Sequence, residues 1–439
     1  MLPRRARVVH RIALAGFVAA LAVAALLAWR IHVTFGTLTP TNGGRMHAAA
    51  TVAAVAALLV LAVVLFRPEK VTPAALRRTS AMWALSLALG TVALWALSFN
   101  VRDLDAIHGT LVTSEAEAHA ALDAHPMAFD EPVYRIPTGV FLQSFEFLSD
   151  DTVQVSGFVW QRFGPEIPAS VERGVILPEA GDTYAMTEAY REREGDVEIV
   201  GWYFNAPLRQ PFDYTHYPLD RQDIWLRLWP VDFDGPVELV PDFASYRDVS
   251  PFTSTGIDEQ FVYSGWTFVA SGFSYVLHTY DARFGLHDAA FLTRAPELYY
   301  NLEVKRDFVP ALIKHLPFVL AIAALVFGAM LLNTNDPELR QRFGLATLGV
   351  LGANGALLLA VVVEHSNMRA TFSSQQVSYI EVLPFTLYAM ILLATTNAIA
   401  LDAPSSPRFF DYRNNIWPLA LYWPIFTGVI FVVTCAVFF

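Results

Sequence analysis

The residues of this sequence that could do chemistry are carboxylates, histidines and aromatics, and they are not arranged in a catalytic motif. No Gly-rich phosphate loop, GxSxG or HExxH occurs, and the HGT at His108 is a fragment in a linker. The most informative polar group is Asp220, within FDYTHYPLDRQDIWLRLWP at residues 212–230. A carboxylate among apolar side chains is costly unless a cation pairs with it, which favours charge pairing over catalysis. We therefore do not expect an enzyme.

The same stretch contains an aromatic-Pro-Leu-Asp corner, which an element on each side must position. An aromatic–Pro bond adopts the cis form at a cost of only about 0.5–1 kcal/mol, so a tight turn is accessible here. Phe212, Tyr214, Tyr217 and Leu219 would give this turn an apolar end. The sequence therefore predicts a hairpin whose tip prefers an apolar environment.

Composition indicates what that environment is. The chain has 439 residues, of which 54% are hydrophobic and 16% charged, and its mean hydropathy is +0.40. These values are typical of an integral membrane protein. The net charge of -11 and the lack of a basic stripe argue against nucleic-acid binding. The only cysteine is Cys435, which excludes a disulfide framework and a cysteine metal site, and we expect no metal and no cofactor.

Seven apolar segments are long enough to span a bilayer, since roughly 30 Å crossed at about 1.5 Å per residue needs about 20 residues. They are residues 11–30, 47–66, 80–99, 308–332, 343–363, 378–400 and 416–438. Basic residues flank the first segment and separate the second from the third, which predicts that both loops are cytoplasmic. The polar middle domain and the carboxyl terminus are then outside.

The middle domain has the pattern of short antiparallel strands. The strand-like stretches are TVQVSGFVWQRF, VEIVGWYFNAPL, DIWLRLWP, GWTFVASGFSYVLHTY and PELYYNLEVKR. In DIWLRLW, the aliphatic residues Ile224, Leu226 and Leu228 alternate with Trp225, Arg227 and Trp229. The expected fold class is an α+β membrane protein, with an extracellular Ig-like β-sandwich between three N-terminal and four C-terminal transmembrane helices. The expected domains are 1–100, a connector at 101–130, the sandwich at 131–305 and a four-helix domain at 306–439.

Several short motifs occur in the order typical of one protein family. They are ILPE (176–179), YPLDRQ (217–222), SGW (264–266), LEVKRDF (302–308), HLPFVL (315–320) and YRNNIWP (412–418). YPLDRQ resembles the aromatic-Pro-x-Asp core of the Cys-loop in pentameric ligand-gated ion channels, in the prokaryotic form that lacks the two cysteines. With this order and topology, the chain resembles that family over about residues 133–439.

The resemblance implies a coupling role for the corner. In the family this loop rests on the channel helices and transmits the motion of the outer domain to the pore. By resemblance, Tyr217 and Pro218 shape the tip, Asp220 pairs with Arg306, and Asp151 completes an acidic-basic-acidic cluster. The planar fork of arginine suits two carboxylates at once. The alternative is a hydrophobic hairpin with an ordinary surface ion pair.

The resemblance also implies that the helix at 343–363 lines the pore. Thr347 and Asn354 are seven residues apart and so share a face, and polar residues inside a bilayer usually face a bundle interior or water. The predicted lining is Thr347, Leu351, Asn354, Leu358 and Val361. The alternative is that a stripe of small residues packs this helix against others, with Asn354 making an interhelical hydrogen bond.

Carboxylates at the two mouths of the pore would set its ion selectivity. Glu338 and Glu364 are the candidates, and rings of them favour cations. Arg340 and Arg342 lie beside Glu338 and could cancel its ring. Two alignments of the helix remain open, one with Glu364 at the outer rim and one with Arg342 at the inner mouth. We predict cation selectivity.

In the family an agonist binds between subunits, under a capping loop that corresponds here to HTYDARFGLHDAAF. The candidate binding residues are Tyr184, Trp266, Tyr280, Phe284 and Phe291. Such a box could capture an amine through cation–π contacts, although aromatic residues also fill sandwich cores. A fall in pH is an equal alternative, because histidines near the loop could be protonated.

The resemblance implies a homopentamer in the bacterial inner (plasma) membrane, with the sensing domain on the periplasmic or extracellular side. Its partners would be membrane lipids, permeant inorganic ions, and a small-molecule agonist or protons. The three N-terminal helices are outside the family plan and could be either a modulatory layer or a simple anchor. The alternative function is a non-conducting membrane sensor on the same scaffold.

Overall fold

The computed structural model describes most of the chain beyond the first two predicted spans. The described residues are 72–100, 104, 107–127, 129, 132–181, 184–233, 235–282, 284, 295–333, 347–371, 377–402 and 415–438. The predicted spans at 11–30 and 47–66 lie outside them.

Six α-helices occur in the described residues. They are α1 (Pro73–Asn100), α2 (Glu115–Asp123), α3 (Phe308–Leu332), α4 (Thr347–Thr371), α5 (Val382–Asp402) and α6 (Ile416–Phe438). A 3₁₀ turn, Tyr379–Glu381, leads directly into α5. Five helical segments, all but α2, are long and apolar enough to cross a membrane. The protein is thus a mixed helix-and-sheet, multi-pass membrane protein.

The helix α4 differs from the predicted segment at 343–363, because it continues to Thr371. The residues after 363, EHSNMRAT, contain neither Gly nor Pro, so nothing in them ends the helix. Its last turns are also held from the side, since the Arg369 Nε donates to Glu381 Oε2 at 2.9 Å. The helix therefore extends eight residues beyond the predicted end of this span.

The helix α1 packs along α6. Small residues permit this, since a Cβ added at Gly90 would lie 2.9 Å from the Phe431 ring, and Gly428 faces Leu87. The Ser80 hydroxyl adds a hydrogen bond to the Ala420 carbonyl. Close approach between small residues is the usual way for helices to associate in lipid, where the hydrophobic effect gives little help.

Eleven strands form two sheets in the described chain. They are β1 (Thr110–Val112), β2 (Tyr134–Phe147), β3 (Thr152–Phe163), β4 (Val175–Ile176), β5 (Ala185–Glu194), β6 (Val197–Arg209), β7 (Arg221–Pro230), β8 (Val237–Pro241), β9 (Ile257–Val262), β10 (Trp266–His278) and β11 (Ala295–Arg306). One sheet has the order β1-β10-β11-β7-β4, and the other β5-β6-β3-β2-β8, with β9 paired to β2. The five stretches predicted as strands are confirmed as β3, β6, β7, β10 and β11.

The two sheets share one hydrophobic core. It contains Val140 and Val155 from the six-stranded sheet and Ile224, Leu226 and Leu228 from β7, all at 0–1% exposure. The alternation predicted for DIWLRLW is confirmed, because these three aliphatic residues face the core. In the connector, α2 begins at a capped turn where the Ser114 hydroxyl accepts from the Glu117 N–H.

By internal contacts the chain divides into two units. The sheet unit is Leu104–Asp213 with Asp220–Asp307. In the described chain, the helical unit is α1, Tyr214–Leu219 and α3 to α6. The tip of the corner therefore belongs to the helical unit, although both of its flanks belong to the sheet unit.

Candidate functional site

The corner between β6 and β7 is a compact turn with a closed neck. The Tyr217–Pro218 peptide bond is cis. Within the tip, the Tyr217 N–H donates to the Tyr214 carbonyl at 3.0 Å. At the neck, the Gln222 amide donates to the Asp213 carbonyl at 2.8 Å and its Oε1 accepts from the Asp213 N–H at 3.2 Å. One side chain thus holds both sides of the neck together.

Asp220 is tied by a two-pronged ion pair to the end of β11. The Arg306 Nε donates to Asp220 Oδ1 at 2.7 Å, and Nη2 donates to Oδ2 at 3.0 Å. The Asp220 side chain is fully buried, and Gln222 Nε2 donates to the same Oδ2. The main chains also meet, since the Arg306 N–H donates to the Asp220 carbonyl. Arg306 is the last residue of β11, and α3 begins two residues later at Phe308.

Two predicted residues are placed differently from the expectation. Asp151 does not complete the cluster around Arg306, because its Oδ2 lies 3.7 Å from Arg209 Nη2. Its other oxygen accepts from the hydroxyls of Ser149 and Thr152. These hydrogen bonds lower the pKa of Asp151. Asp151 thus stabilises its own β2–β3 turn.

Trp266 corrects a second expectation. It is buried under the Arg306 guanidinium, which lies 4.1 Å from its ring centroid. The segment predicted to cap the ligand begins after His278, at the opposite end of β10. A strand rises about 3.3 Å per residue, so Trp266 is about 40 Å from the start of that segment. Trp266 therefore belongs to the anchor of the corner and not to a ligand box.

The tip of the corner is bound within the helical unit by main-chain hydrogen bonds. The Tyr379 N–H donates to the Thr215 carbonyl at 2.8 Å, and the Ile380 N–H donates to the Tyr217 carbonyl at 3.1 Å. The Tyr217 ring is 6% exposed and packs in the same apolar cluster as Val319 and Val361. The tip is thus fixed to the turn that leads into α5.

A charged and aromatic cluster centres on Arg227 of β7. The Arg227 Nε donates to Glu297 Oε2 at 2.6 Å, and Nη1 donates to Glu179 Oε1 at 3.1 Å. The Tyr280 hydroxyl accepts from Nη2 and donates to Glu297 Oε1. The guanidinium also lies 4.9 Å from the Trp229 ring centroid. Two carboxylates and one guanidinium leave this cluster one negative charge in excess.

Burial tunes the ionisable groups of this Arg227 cluster. It raises the pKa of Glu179, although Arg227 opposes the shift. It lowers the pKa of His278, which Glu297 partly offsets. The His278 Nε2 lies 2.8 Å from the Tyr299 hydroxyl and 3.8 Å from Glu297 Oε2. A protonated His278 would therefore add a positive charge beside the surplus carboxylate.

The predicted aromatic residues divide between this cluster and the core. Tyr280 and Phe284 both contact Trp229, with ring centroids 5.9 Å and 6.3 Å away. Tyr184 instead packs, partly buried, against the shared core. Phe291 lies outside the described residues. The prediction missed Trp229, although the alternation of β7 had already put Trp229 and Arg227 on the face away from the core.

A second group that the prediction missed is a pair of carboxyls on the same face, the half-buried Asp223 and the fully buried Glu303. Asp223 and Glu303 are direct neighbours across the β7–β11 ladder. Asp223 Oδ2 accepts from the His108 main-chain N–H at 2.6 Å, and its Oδ1 is buried with no hydrogen-bond partner in the described chain. Burial raises the pKa of Asp223 to about 8, and the charge of Glu303 adds to the shift. Asp223 therefore retains its proton at neutral pH.

The predicted pore face of α4 packs inside its own chain. Asn354 is 1% exposed and donates to the Thr395 hydroxyl on α5 at 3.0 Å, and Val361 is fully buried. Thr347 donates to the Asp402 carboxylate. Leu351 and Leu358 are partly buried beside them. Asn354 and Val361 are thus buried inside their own chain, and the pore-lining role of this face stays a prediction.

The opposite face of α4 is apolar and open. Leu348, Leu359 and Val363 are 83%, 64% and 52% exposed, and Gly352 and Gly355 lie between them. These residues recur every three or four positions and so form one stripe along the helix. These five residues form the α4 open face. Its polar end is one turn further on, at Ser366.

Of the carboxylates expected at the pore mouths, Glu364 is described and is not on the α4 open face. Glu364 Oε1 lies 3.3 Å from His315 Nδ1 of α3, on the inner side of the helix. Glu338 lies outside the described residues. Beside Glu364, His365 and Arg369 both contact Glu381. In the described part of the chain, no group of three His, Cys, Asp or Glu is arranged to hold a metal ion.

Comparison with models of known protein families gives no match for this chain. Comparison with functionally characterised proteins gives no significant match either.

Proposed function

We propose that the chain is one subunit of a homo-oligomeric ion channel whose sheet unit controls the helices. The observation that carries this proposal is the corner. Its flanks, from Asp213 and from Asp220, belong to the sheet unit, while Tyr214–Leu219 belongs to the helical unit. A segment shared in this way transmits force, because neither unit can move without displacing it or breaking its hydrogen bonds.

Transmission would follow two routes, one through the Asp220–Arg306 ion pair and one through the hydrogen bonds of the tip. The Asp220–Arg306 fork joins the neck to β11, and β11 continues into α3, so a shift of the β7–β11 ladder pulls on both. The tip pushes on the turn before α5, which contacts α4 through Thr395 and Asn354. A change in α5 would therefore rotate or tilt α4. A stimulus at the sheet unit would act by biasing α4 between two such orientations.

The α4 open face would line the pore. In a ring of subunits, five by the family resemblance, the side chains of Leu348, Leu359 and Val363 would form apolar rings. An apolar constriction stops ions by dewetting and conducts when it widens. Gly352 and Gly355 would leave wider rings between. Asn354 would instead tie α4 to α5, which is the packing role that the sequence left open.

The stimulus would act at the Arg227 cluster. Its surplus negative charge and the rings of Trp229 and Tyr280 suit a small amine, which cation–π contact and a carboxylate would both attract. On acidification, His278 would gain a charge between Glu297 and Arg227 and compete for the same carboxylate. His278→Gln should therefore abolish the response to acid and keep the response to amines, whereas Trp229→Leu should weaken the amine response. If His278→Gln and Trp229→Leu each weakened the acid response and the amine response equally, this assignment would be rejected.

The test of the pore face uses the single cysteine of the chain. In a Cys435→Ser background, Leu359→Cys should react with a charged methanethiosulfonate reagent and lose current, because its side chain is open. Asn354→Cys is the matched control, and as a buried position it should not respond. Loss of current in Asn354→Cys but not in Leu359→Cys would instead favour the face that the sequence predicted, with Thr347 and Asn354 lining the pore.

One observation favours a second candidate, a non-conducting sensor. The α4 open face has no polar side chain between Leu348 and Val363, whereas many pores carry a polar ring. On this view Leu359→Cys reacts only with a lipid-soluble reagent, and no stimulus produces current.

A further inference from the structure

A line of hydrogen bonds in the helical unit joins α1 to the turn before α5. The Trp95 Nε1 donates to the Tyr379 hydroxyl at 2.8 Å, and both side chains are buried. The Tyr379 hydroxyl lies 2.5 Å from the Thr434 hydroxyl of α6. Thr434 donates its own proton to the Ile430 carbonyl at 2.7 Å, so Tyr379 must be the donor to Thr434. The direction of every bond in the line is thereby determined.

The same residue that α1 holds by its side chain holds the corner by its main chain. The Tyr379 N–H donates to the Thr215 carbonyl, and the next N–H, of Ile380, donates to that of Tyr217. The Phe438 ring packs against both Tyr379 and His216, with ring centroids 4.9 Å and 5.5 Å away. Tyr379 is therefore the point at which α1, α6 and the tip meet.

We propose that α1 is a built-in positioning element for the corner, with Trp95 as its positioning residue. A helix that served only as a lipid anchor would need no buried polar contact with the rest of the chain. The only N–H of the Trp95 indole, however, donates a hydrogen bond to Tyr379. The close α1–α6 packing at Gly90 fixes the height of Trp95 along the bundle. Loosening α1 would release the Tyr379 ring, and with it the main-chain bonds to the tip.

Hydrogen exchange on the full chain in detergent micelles tests this inference. In Trp95→Phe, the ring remains but the N–H is lost. We expect the amides of Tyr379 and Ile380, which bond to the tip, to lose about fivefold in protection. Trp83→Phe is the matched control, because it makes the same change on the same helix about 18 Å away along the axis. It should leave these two amides unchanged.

A double-mutant cycle separates positioning from general loosening. Tyr379→Phe removes the hydroxyl that Trp95 contacts, so Trp95→Phe should have no further effect on the Ile380 amide in that background. An equal effect of Trp95→Phe in both backgrounds would overturn the inference. Exchange that rises along the whole of α1 and α6 but not at Tyr379 and Ile380 would also overturn it.

The inference acquires a regulatory meaning only if the proposed channel function holds. In a conducting protein, Trp95→Phe should shift the half-activating stimulus about threefold, and Trp83→Phe should not. The exchange result needs no current. A silent protein with the expected exchange would therefore reject the channel and keep the positioning role, while a conducting protein with unchanged exchange would do the reverse.

Discussion

Asp220 and Asp223 are three residues apart, and their carboxyls have opposite surroundings. Asp220 receives two N–H groups from Arg306 and one from Gln222. Asp223 receives one main-chain N–H, from His108, and faces the carboxyl of Glu303. Asp220 is paired with the Arg306 guanidinium, whereas burial and the neighbouring Glu303 raise the pKa of Asp223. The start of β7 thus has one carboxyl held in an ion pair, Asp220, and one carboxyl with a raised pKa, Asp223.

The comparison assigns different tasks to the two positions. The anchor at Asp220 is suited to carry force between β7 and β11. The carboxyl at Asp223 is suited to report pH, because its pKa of about 8 lies near neutrality.

The largest effect of a substitution at neutral pH is expected at Arg306. Arg306→Met leaves the buried Asp220 carboxylate without its cation, which should lower the free energy of unfolding by about 3–5 kcal/mol. The apparent melting temperature of the purified protein in detergent measures this. Arg306→Lys keeps the charge but loses the two-pronged contact. Its melting temperature should therefore lie between those of the wild type and Arg306→Met. A loss below about 1 kcal/mol in Arg306→Met would show that the anchor contributes little.

A smaller effect is expected at Gln222. Gln222→Leu removes the bonds to Asp213 and Asp220 and should lower the free energy of unfolding by about 1–3 kcal/mol. Hydrogen exchange at the Asp213 amide gives a local measure, since that amide donates to Gln222. An unchanged exchange rate there would show that the neck closes without this side chain.

Asp223 should make stability depend on pH. Its pKa rises from its ordinary value of 3.8 to about 8 on folding, so the folded state keeps a proton that the unfolded state releases between those values. The stabilisation is complete below about pH 4 and is lost as the pH rises through about 8, by up to about 1.4 kcal/mol per pH unit. Asp223→Asn should lack this slope. Melting curves of both proteins at several pH values measure it, and identical slopes would contradict the assignment.

The smallest effect is expected at Glu303. Glu303→Gln removes the like charge, so the midpoint of the Asp223 titration should move down by less than about one pH unit. His108→Ala is a control that should leave the midpoint in place, because the contact to Asp223 uses the main-chain N–H. A midpoint that rises in Glu303→Gln would mean that Glu303 stabilises the ionised form.

Much of the fold was predictable because it rests on periodicity. The alternation in β7 is visible in the sequence, and so are the apolar lengths of α1, α3, α5 and α6. The end of α4 was not predictable, because polar residues in EHSNMRAT looked like a loop. The lateral bond from Arg369 to Glu381 stabilises this helical end, and spacing alone does not reveal such a contact.

The ion pair at the corner was predictable from the sequence, but the face that each side chain of α4 presents was not. The Asp220–Arg306 pair was predicted from the family resemblance of two motifs, YPLDRQ and LEVKRDF. The orientation of α4 could not be predicted in this way. Thr347 and Asn354 form hydrogen bonds with Asp402 and Thr395 on α5, and the sequence does not reveal these partners. A polar residue in an apolar helix predicts a partner, and only packing decides whether that partner is water or a neighbouring helix.

The central claim is that the corner couples the sheet unit to an ion path. Current through the purified protein in planar bilayers, on stepping the outer pH from about 7.5 to about 4.5 or adding small amines, tests it most directly. Asp220→Asn, whose loss of charge weakens the fork, should assemble as the wild type does and lose the response. We predict a current in the wild type and a marked loss in Asp220→Asn. A wild type that stays silent to acid and amines, or an Asp220→Asn channel that responds fully, would contradict the account.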